Sequence, residues 1–188
     1  MKIFDVNLDV LHKFKTKVLD QIGAEKLLDL FERFKIEPNH LTLAGHIFGF
    51  SSIFFLFENH IYFAILLSVH LILDGLDGYY ARSRKKETKL GNFLDHGGDF
   101  TRTVLILTKA YFFLPYQPLI LGIIIVQFLE LFIIAKNNLG KYVFPNGVFL
   151  YFFIIKQYYL GLLVHTIYLP CAFYLIFRLK KQYNQRNE

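Results

Sequence analysis

The sequence has 188 residues, of which 54% are hydrophobic and 19% are charged, and Phe alone occupies 22 positions. A soluble single domain of this length rarely has so much apolar surface, because it could not bury it; the composition therefore favours an integral membrane protein. The net charge of +6 is typical of basic loops beside anionic lipid headgroups, and the absence of a basic face with interleaved aromatics argues against nucleic acid as a partner.

Residues 1–37 carry apolar side chains at helical spacing, with Lys, Asp and Glu between them. Gly23 is expected to divide this stretch into two short helices. We predict that the region lies on the membrane surface with its basic side toward lipid phosphates, and a small soluble helical cap is the alternative. The opening sequence MKIFDVNLDVLHKFK lacks the apolar segment of a cleavable signal peptide, so none is expected.

Six apolar runs follow, and a membrane-crossing helix needs about 20 mostly apolar residues. We therefore predict an all-α integral membrane protein in which residues 38–188 form one six-helix transmembrane domain with a short basic tail. The boundary between the fifth and sixth spans is marked only by Gly161 and His165. The single cysteine, Cys171, has no partner for an internal disulfide. The predicted spans are 39–57, 61–82, 90–113, 116–136, 146–162 and 164–180.

The loops between these spans alternate in charge. Lys and Arg crowd the N-terminal segment, the loops at 82–90 and 136–141, and the C-terminal tail, whereas the other loops have none. Because positively charged loops stay in the cytoplasm, both termini are predicted to be cytoplasmic, in a cell membrane.

Two pairs of aspartates lie at the predicted cytoplasmic ends of the second and third spans. Asp74 and Asp77 are three residues apart, and Asp95 and Asp99 are four apart. Either spacing places both carboxylates on one helix face, and the short connecting loop lets the two pairs converge. Four carboxylates together repel one another unless cations neutralise them. Oxygen ligands favour hard cations, so we predict Mg²⁺ or Mn²⁺, with Ca²⁺ as an alternative and room for two ions.

Small residues surround both aspartate pairs. They indicate either close packing of helices or the close approach of a phosphate-bearing ligand to bare backbone, and both interpretations stay open. The residues concerned are Gly75, Gly78, Ala81, Gly91, Gly97 and Gly98.

The string DGLDGYYAR at 74–82, followed eight residues later by GNFLDHGGD at 91–99, resembles the signature of the CDP-alcohol phosphotransferase family. The PNHLT start of the first span and the six-span layout are similar too. The resemblance implies a membrane enzyme of phospholipid biosynthesis, active as a homodimer. It would transfer a substituted phosphate from a CDP-linked donor to an alcohol and release CMP.

The resemblance also implies roles for individual residues. Asp74, Asp77 and Asp95 would hold metal ions, and Asp99 would both bind metal and deprotonate the acceptor hydroxyl. The positions that would contact the CDP group are Gly78, Ala81, Arg82, Thr88, Asn39 and Thr42.

Further charged residues fall inside the predicted spans, where charges are candidates for function. Arg102 could bind the phosphate of an acceptor or of a lipid. Lys136 resembles a basic position in relatives that use phosphorylated acceptors, and His96 is expected to be a hydrogen-bonding accessory to the site. Lys109 is interpreted as forming an ion pair between helices, as snorkelling to the interface, or as functional.

Three functions compete at this point. The first is transfer from CDP-diacylglycerol, or its ether analogue, to a small polar alcohol. The second is suggested by DHGGD at 95–99, which resembles the choline/ethanolamine branch and its CDP-choline or CDP-ethanolamine donors with a lipid acceptor, although those enzymes are usually longer. The third is a cation transporter, which would place the carboxylates near the bilayer midplane rather than at one edge.

Overall fold

The computed structural model describes residues 23–136 and 146–167, and within them the chain is all-helical. The first of the two predicted N-terminal helices, the loop at 137–145 and most of the predicted sixth span, including Cys171, lie outside these residues. Seven helices occur in the described ranges: α1 Ala24–Arg33, α2 Pro38–Phe55, α3 His60–Ser83, α4 Lys89–Phe113, α5 Gln117–Lys136, α6 Asn146–Ile154 and α7 Tyr158–Ile167.

The described residues group into two compact units. The first contains the chain up to Gly49 together with Ser68–Asp95, and the second contains Phe50–Leu67 together with the residues from His96 onward. Both units are built from helices alone in the part of the chain that is described.

The core of the first unit forms where the apolar face of α1 packs against α3. Ala24 and Leu28 of α1 are buried together with Leu41, Tyr79 and Tyr80. The tyrosine hydroxyls keep hydrogen-bond partners, because Tyr79 donates to the Glu25 carboxylate and Tyr80 donates to a backbone carbonyl, each at 3.0 Å. Helix α1 begins directly after Gly23, whose φ of 76° suits glycine, as the sequence predicted.

The acidic face of α1 binds the loop that follows α3. Arg84 forms ion pairs with Glu25 and Glu32, at 3.2 and 3.6 Å, and with Asp29. Lys86 pairs with Glu32 at 3.2 Å. These contacts hold the loop between α3 and α4 against α1.

Two residues after the ends of three helices, a lysine adopts the left-handed backbone conformation. These are Lys35, Lys85 and Lys156, with φ values of 56°, 52° and 60°. At the third, Lys156 N–H donates to the Phe153 carbonyl and Gln157 N–H to the Phe152 carbonyl, the bond pattern of a Schellman motif. Helix α6 therefore ends at Ile154. The predicted continuous span at 146–162 was wrong, because α7 starts at Tyr158.

Gly161, which the sequence suggested as a boundary between spans, lies inside α7. A Cβ at this position would lie 3.1 Å from Phe152 Cβ and 3.3 Å from Phe153 Cδ2. The glycine therefore permits α7 to pack closely on α6, as small residues do between helices.

The second unit carries polar side chains that bind other parts of the same unit. Lys109 Nζ donates to the Ile53 and Phe54 carbonyls at the end of α2, at 2.9 and 2.8 Å, and pairs with Glu58 at 2.9 Å. Gln127 Nε2 donates to His165 Nε2 at 2.8 Å, and both residues are buried. These contacts favour the ion-pair interpretation of Lys109, which pairs with Glu58 and also caps the end of α2.

Among the described residues, one helix, His60–Ser83, has both the length and the apolar composition that crossing a membrane requires. Two shorter apolar stretches, Gln117–Leu129 within α5 and Tyr158–Ile167, fall below that length.

Candidate active site

A cavity of about 430 Å³ opens in the first unit. Its walls are the first turn of α2, the last turns of α3, the loop between α3 and α4, and the first turns of α4. This volume lies within the range of small-molecule sites, about 300–1,000 Å³.

All six residues that the resemblance assigned to CDP line this cavity, together with two of the four aspartates, Asp77 and Asp95. They come from stretches nearly 40 residues apart in sequence, so the fold rather than the motif brings them together. The six are Asn39, Thr42, Gly78, Ala81, Arg82 and Thr88.

The other two aspartates lie one turn away along the same helices. Asp74 is three residues before Asp77 on α3, and Asp99 is four residues after Asp95 on α4. Each helix therefore presents its two carboxylates on one face.

The cavity combines both signs of charge. Asp77 is only 5% exposed, and a carboxylate that is removed from water needs a cation or hydrogen-bond donors to offset its desolvation. Arg82, Lys86 and Lys89 line the same space. Carboxylate oxygens fit a hard divalent cation, and the three bases fit the oxygens of a diphosphate, so this set of donors suits both groups.

Lys86 is a charged wall residue that the motif does not include. Its Nζ pairs with Glu32 at 3.2 Å and Glu37 at 3.7 Å, and it donates to the Tyr80 hydroxyl at 3.4 Å. Although desolvation lowers the pKa of Lys86, the hydrogen bonds to Glu32 and Tyr80 and the charge of Glu37 hold it above its ordinary value. Lys86 therefore stays a cation at the cavity wall.

Thr88 joins the start of α4 to the start of α2. Its Oγ1 accepts from the Gly91 N–H at 2.9 Å, as an N-cap residue does, and also from Asn39 Nδ2 at 3.4 Å. A Cβ on Gly91 would lie 2.5 Å from Asn39 Oδ1. The close approach of Asn39 therefore explains this glycine.

At the other glycines near the aspartates, an added Cβ would meet less than it would at Gly91. A Cβ at Gly75 or Gly97 would have nothing within 4 Å, and one at Gly78 would lie 3.1 Å from the guanidinium of Arg82, the far end of a flexible side chain. Of these, only Gly78 lines the cavity, so it is the glycine best placed to let a ligand approach the backbone.

The predicted acceptor residues have different surroundings. Arg102 is 1% exposed and forms an ion pair with Asp99, three residues before it on α4. His96 is half-buried on α4. Lys136 is the last residue of α5, and its side chain lies outside the described residues. In the structure Arg102 is a partner of Asp99, a pairing that the i, i+3 spacing already permits.

Several wall residues were missed in the sequence: Pro38, Lys86, Glu87, Lys89 and Asn92. Asn92 could have been predicted as a wall residue, because it is three residues before Asp95 and therefore lies on the same face of α4. Lys86 and Lys89 belong to the basic loop that the sequence indicated at 82–90, but the position of Lys86 and Glu87 in the wall depends on how α1 binds that loop.

Three relatives of known sequence are similar to part of this chain. An archaetidylinositol phosphate synthase of Pyrococcus horikoshii is 36% identical over 87 residues, which are 46% of this chain and 45% of the relative. An uncharacterized protein of Aquifex aeolicus is 36% identical over 72 residues, 38% of this chain and 37% of the relative. A bifunctional IPC transferase and DIPP synthase of Aquifex aeolicus is 38% identical over 61 residues, 32% of this chain and 14% of the relative.

This chain spans less than half of the length of each of these relatives. The CDP-alcohol phosphatidyltransferase family matches it far more widely, over residues 35–177, which include the whole cavity and all four aspartates. The chain therefore belongs to the CDP-alcohol phosphatidyltransferase family.

Proposed function

We propose that this protein is a metal-dependent membrane enzyme of phospholipid biosynthesis. It transfers a substituted phosphate from a CDP-linked donor to an alcohol and releases CMP. The observation that supports the proposal is the cavity itself. Its wall contains the six residues that the family resemblance assigned to CDP together with Asp77 and Asp95. A site for nucleotide alone would not need two carboxylates in its wall.

The four aspartates Asp74, Asp77, Asp95 and Asp99 are proposed to hold one or two Mg²⁺ or Mn²⁺ ions. Such ions, when bound, neutralise charge on the diphosphate and on the leaving CMP. The burial of Asp77 supports this role, because a bound cation offsets part of the desolvation free energy of a buried carboxylate.

The nucleotide is proposed to lie between α2 and the start of α4, with its phosphates toward the bases of the wall. Arg82 is exposed at the cavity, where its planar fork can bind two phosphate oxygens. Gly78 has no side chain, so the Arg82 guanidinium is the nearest group over the α3 backbone at that position.

Asp99 is proposed as the catalytic base. It takes the proton of the acceptor hydroxyl as the oxygen attacks the phosphorus that carries the substituent. A new P–O bond forms, the bond from that phosphorus to the CMP oxygen breaks, and CMP leaves. A positioned base contributes typically 10²–10⁴-fold to such a step. The ion pair with Arg102 orients the Asp99 carboxylate.

For the substrates, we propose CDP-diacylglycerol or its ether analogue as donor and a small polar alcohol as acceptor. The name of the Pyrococcus relative includes archaetidylinositol phosphate, so an inositol phosphate is the first acceptor to test. The DHGGD string, with His96 inside it, favours a second candidate: a CDP-choline or CDP-ethanolamine donor with a lipid alcohol.

The proposed setting is a six-span membrane domain over 38–188, with the surface region 1–37, both termini and the site in the cytoplasm. Helix His60–Ser83 is long enough to cross, and large apolar side chains such as Phe54, Phe93 and Phe112 are exposed, as a lipid-facing surface requires. The protein is proposed to act as a homodimer, which light scattering of the detergent complex would test.

Topology can be tested with impermeant maleimide on intact cells, in a Cys171→Ser background. Asn59→Cys should react and Lys85→Cys should react only after lysis, since both positions are exposed but lie on opposite predicted sides. Labelling of Lys85→Cys in intact cells would contradict the proposed orientation.

The function is tested by CMP release from the purified protein in nanodiscs. CDP-diacylglycerol would be supplied with Mg²⁺ or Mn²⁺ and one acceptor at a time: inositol 1-phosphate, inositol, glycerol 3-phosphate or serine. CMP release that stops with EDTA and in Asp99→Asn supports the proposal and identifies the acceptor. Activity only with CDP-choline or CDP-ethanolamine and diacylglycerol supports the second candidate. If neither donor gives CMP release, the enzymatic proposal is rejected and cation transport becomes the function to test.

A further inference from the structure

A buried histidine precedes the aspartates on α3. His70 is 1% exposed and lies one helical turn before Asp74. It is not part of the family motif, and none of the roles proposed above uses it.

The hydrogen bonds of His70 determine which of its nitrogens can bind a ligand. Nδ1 lies 3.0 Å from the Gly45 carbonyl oxygen. Since a carbonyl only accepts, Nδ1 carries a proton, and in the neutral ring Nε2 holds the lone pair. A histidine that binds metal almost always donates its other N–H in this way, often to a backbone carbonyl.

A second imidazole helps to fix the ring. His46 stacks on His70 with ring centroids 6.0 Å apart and an angle of 24° between the planes. His46 Nε2 in turn donates to the Leu94 carbonyl at 2.8 Å. The ring of His70 is therefore fixed by α2 on two sides, which is the preorganisation that a ligand position requires.

His70 also lies close to a proposed metal ligand. A ring nitrogen of His70 and a carboxylate oxygen of Asp74 are within 4.8 Å of each other. Two ligands of one ion, each about 2.1 Å from it, are separated by up to roughly 4 Å, so a small side-chain movement places both on one ion.

We infer that His70 is a nitrogen ligand of the ion held by Asp74, and that it shifts the metal preference of the site toward Mn²⁺. This inference rests on the proposed metal site. Mg²⁺ and Ca²⁺ take oxygen ligands almost exclusively, whereas first-row transition ions accept imidazole as well. One imidazole among carboxylates therefore favours Mn²⁺ over Mg²⁺.

The test is electron paramagnetic resonance of Mn²⁺ bound to the purified full chain in detergent, with no substrate present. Electron spin echo modulation detects the ¹⁴N of a directly bound imidazole, and continuous-wave titration gives the Kd of Mn²⁺. The variant is His70→Gln, with His70→Asn as a second version should the first fail to fold. The matched control is His60→Gln, because His60 begins the same helix and also donates to a carbonyl, that of Ile154 at 2.6 Å.

The wild type and His60→Gln should show ¹⁴N modulation, and the His70 variants should lose it. The Kd of Mn²⁺ should rise about 10-fold in the His70 variants. The Kd of Mg²⁺, measured by competition, should rise by less than about threefold. Mn²⁺ that binds the wild type without ¹⁴N modulation overturns the inference but leaves the proposed function standing, because CMP release tests that function separately. An unchanged Mn²⁺/Mg²⁺ ratio in folded His70→Gln also overturns it.

Discussion

The two units of the molecule use polar side chains in different ways. In the second unit, Lys109 binds two carbonyls and Glu58, and Gln127 binds His165. In the first unit, Asp77, Asp95 and Arg82 line an open cavity instead. The contrast indicates two uses of polar side chains in this protein: those of the cavity border space for a ligand, whereas Lys109 and Gln127 join one part of the chain to another. Variants of the charged cavity residues should therefore affect catalysis, and variants of Lys109 or Gln127 should affect stability.

The largest expected effect is that of Asp77→Asn in the cavity. Because the amide replaces a charged metal ligand, CMP release should fall on the order of 1,000-fold. The control is Glu58→Gln, which alters a carboxylate of the second unit that pairs with Lys109. CMP release by Glu58→Gln should stay within about twofold of the wild type at a temperature where it is folded, since an exposed ion pair contributes about 0–1 kcal/mol. Equal losses of activity in both variants would contradict the contrast.

A smaller effect, on the KM for the donor, is expected for Arg82→Ala. Loss of a phosphate contact should raise that KM about 10- to 100-fold. The melting temperature should hardly change, because the side chain is exposed. Steady-state kinetics and thermal unfolding of the same preparation separate the two quantities, and a large drop in melting temperature with an unchanged KM would make Arg82 a structural residue.

Lys109→Met should lower stability without changing the KM for the donor, which is the opposite of the effect expected for Arg82→Ala. It removes the donor to the carbonyls that end α2, so the free energy of unfolding should fall by about 1–3 kcal/mol. The KM for the donor should stay at the wild-type value at permissive temperature. A raised KM with unchanged stability would place Lys109 in the substrate site.

The glycines give the finest comparison. Gly91→Ala would bring a Cβ within 2.5 Å of Asn39 Oδ1, so it should lower the free energy of unfolding by about 1–3 kcal/mol. Gly75→Ala meets nothing within 4 Å and should be neutral or stabilising by up to about 1 kcal/mol. Thermal unfolding in detergent compares the two variants, and equal melting temperatures would contradict the packing of Asn39 against α4.

Much of the helix pattern could be predicted from the sequence. The predicted spans at 39–57, 61–82 and 90–113 correspond to helices Pro38–Phe55, His60–Ser83 and Lys89–Phe113, because prolines and charged loops bound each apolar run. The end of α6 was missed, since Lys156 is no strong helix breaker and takes a positive φ only in its Schellman motif.

The site was predictable where one motif carried it and not where the tertiary fold did. The aspartates follow from their spacing on two helices, and Gly78 follows from the family resemblance. The wall formed by Lys86 depends on ion pairs with the acidic residues of α1, which no periodicity reveals. The position of Lys109 at the end of α2 depends likewise on contacts more than 50 residues away in sequence.

The most direct test of the central claim is equilibrium binding of CDP to the purified protein, measured by titration calorimetry with Mg²⁺ or with EDTA. The cavity should bind CDP in the presence of the metal, lose most of that affinity in EDTA, and lose it also in Asp95→Asn. Binding that is as tight in EDTA, or unaltered in Asp95→Asn, would show that the carboxylates and the nucleotide do not share one metal-dependent site.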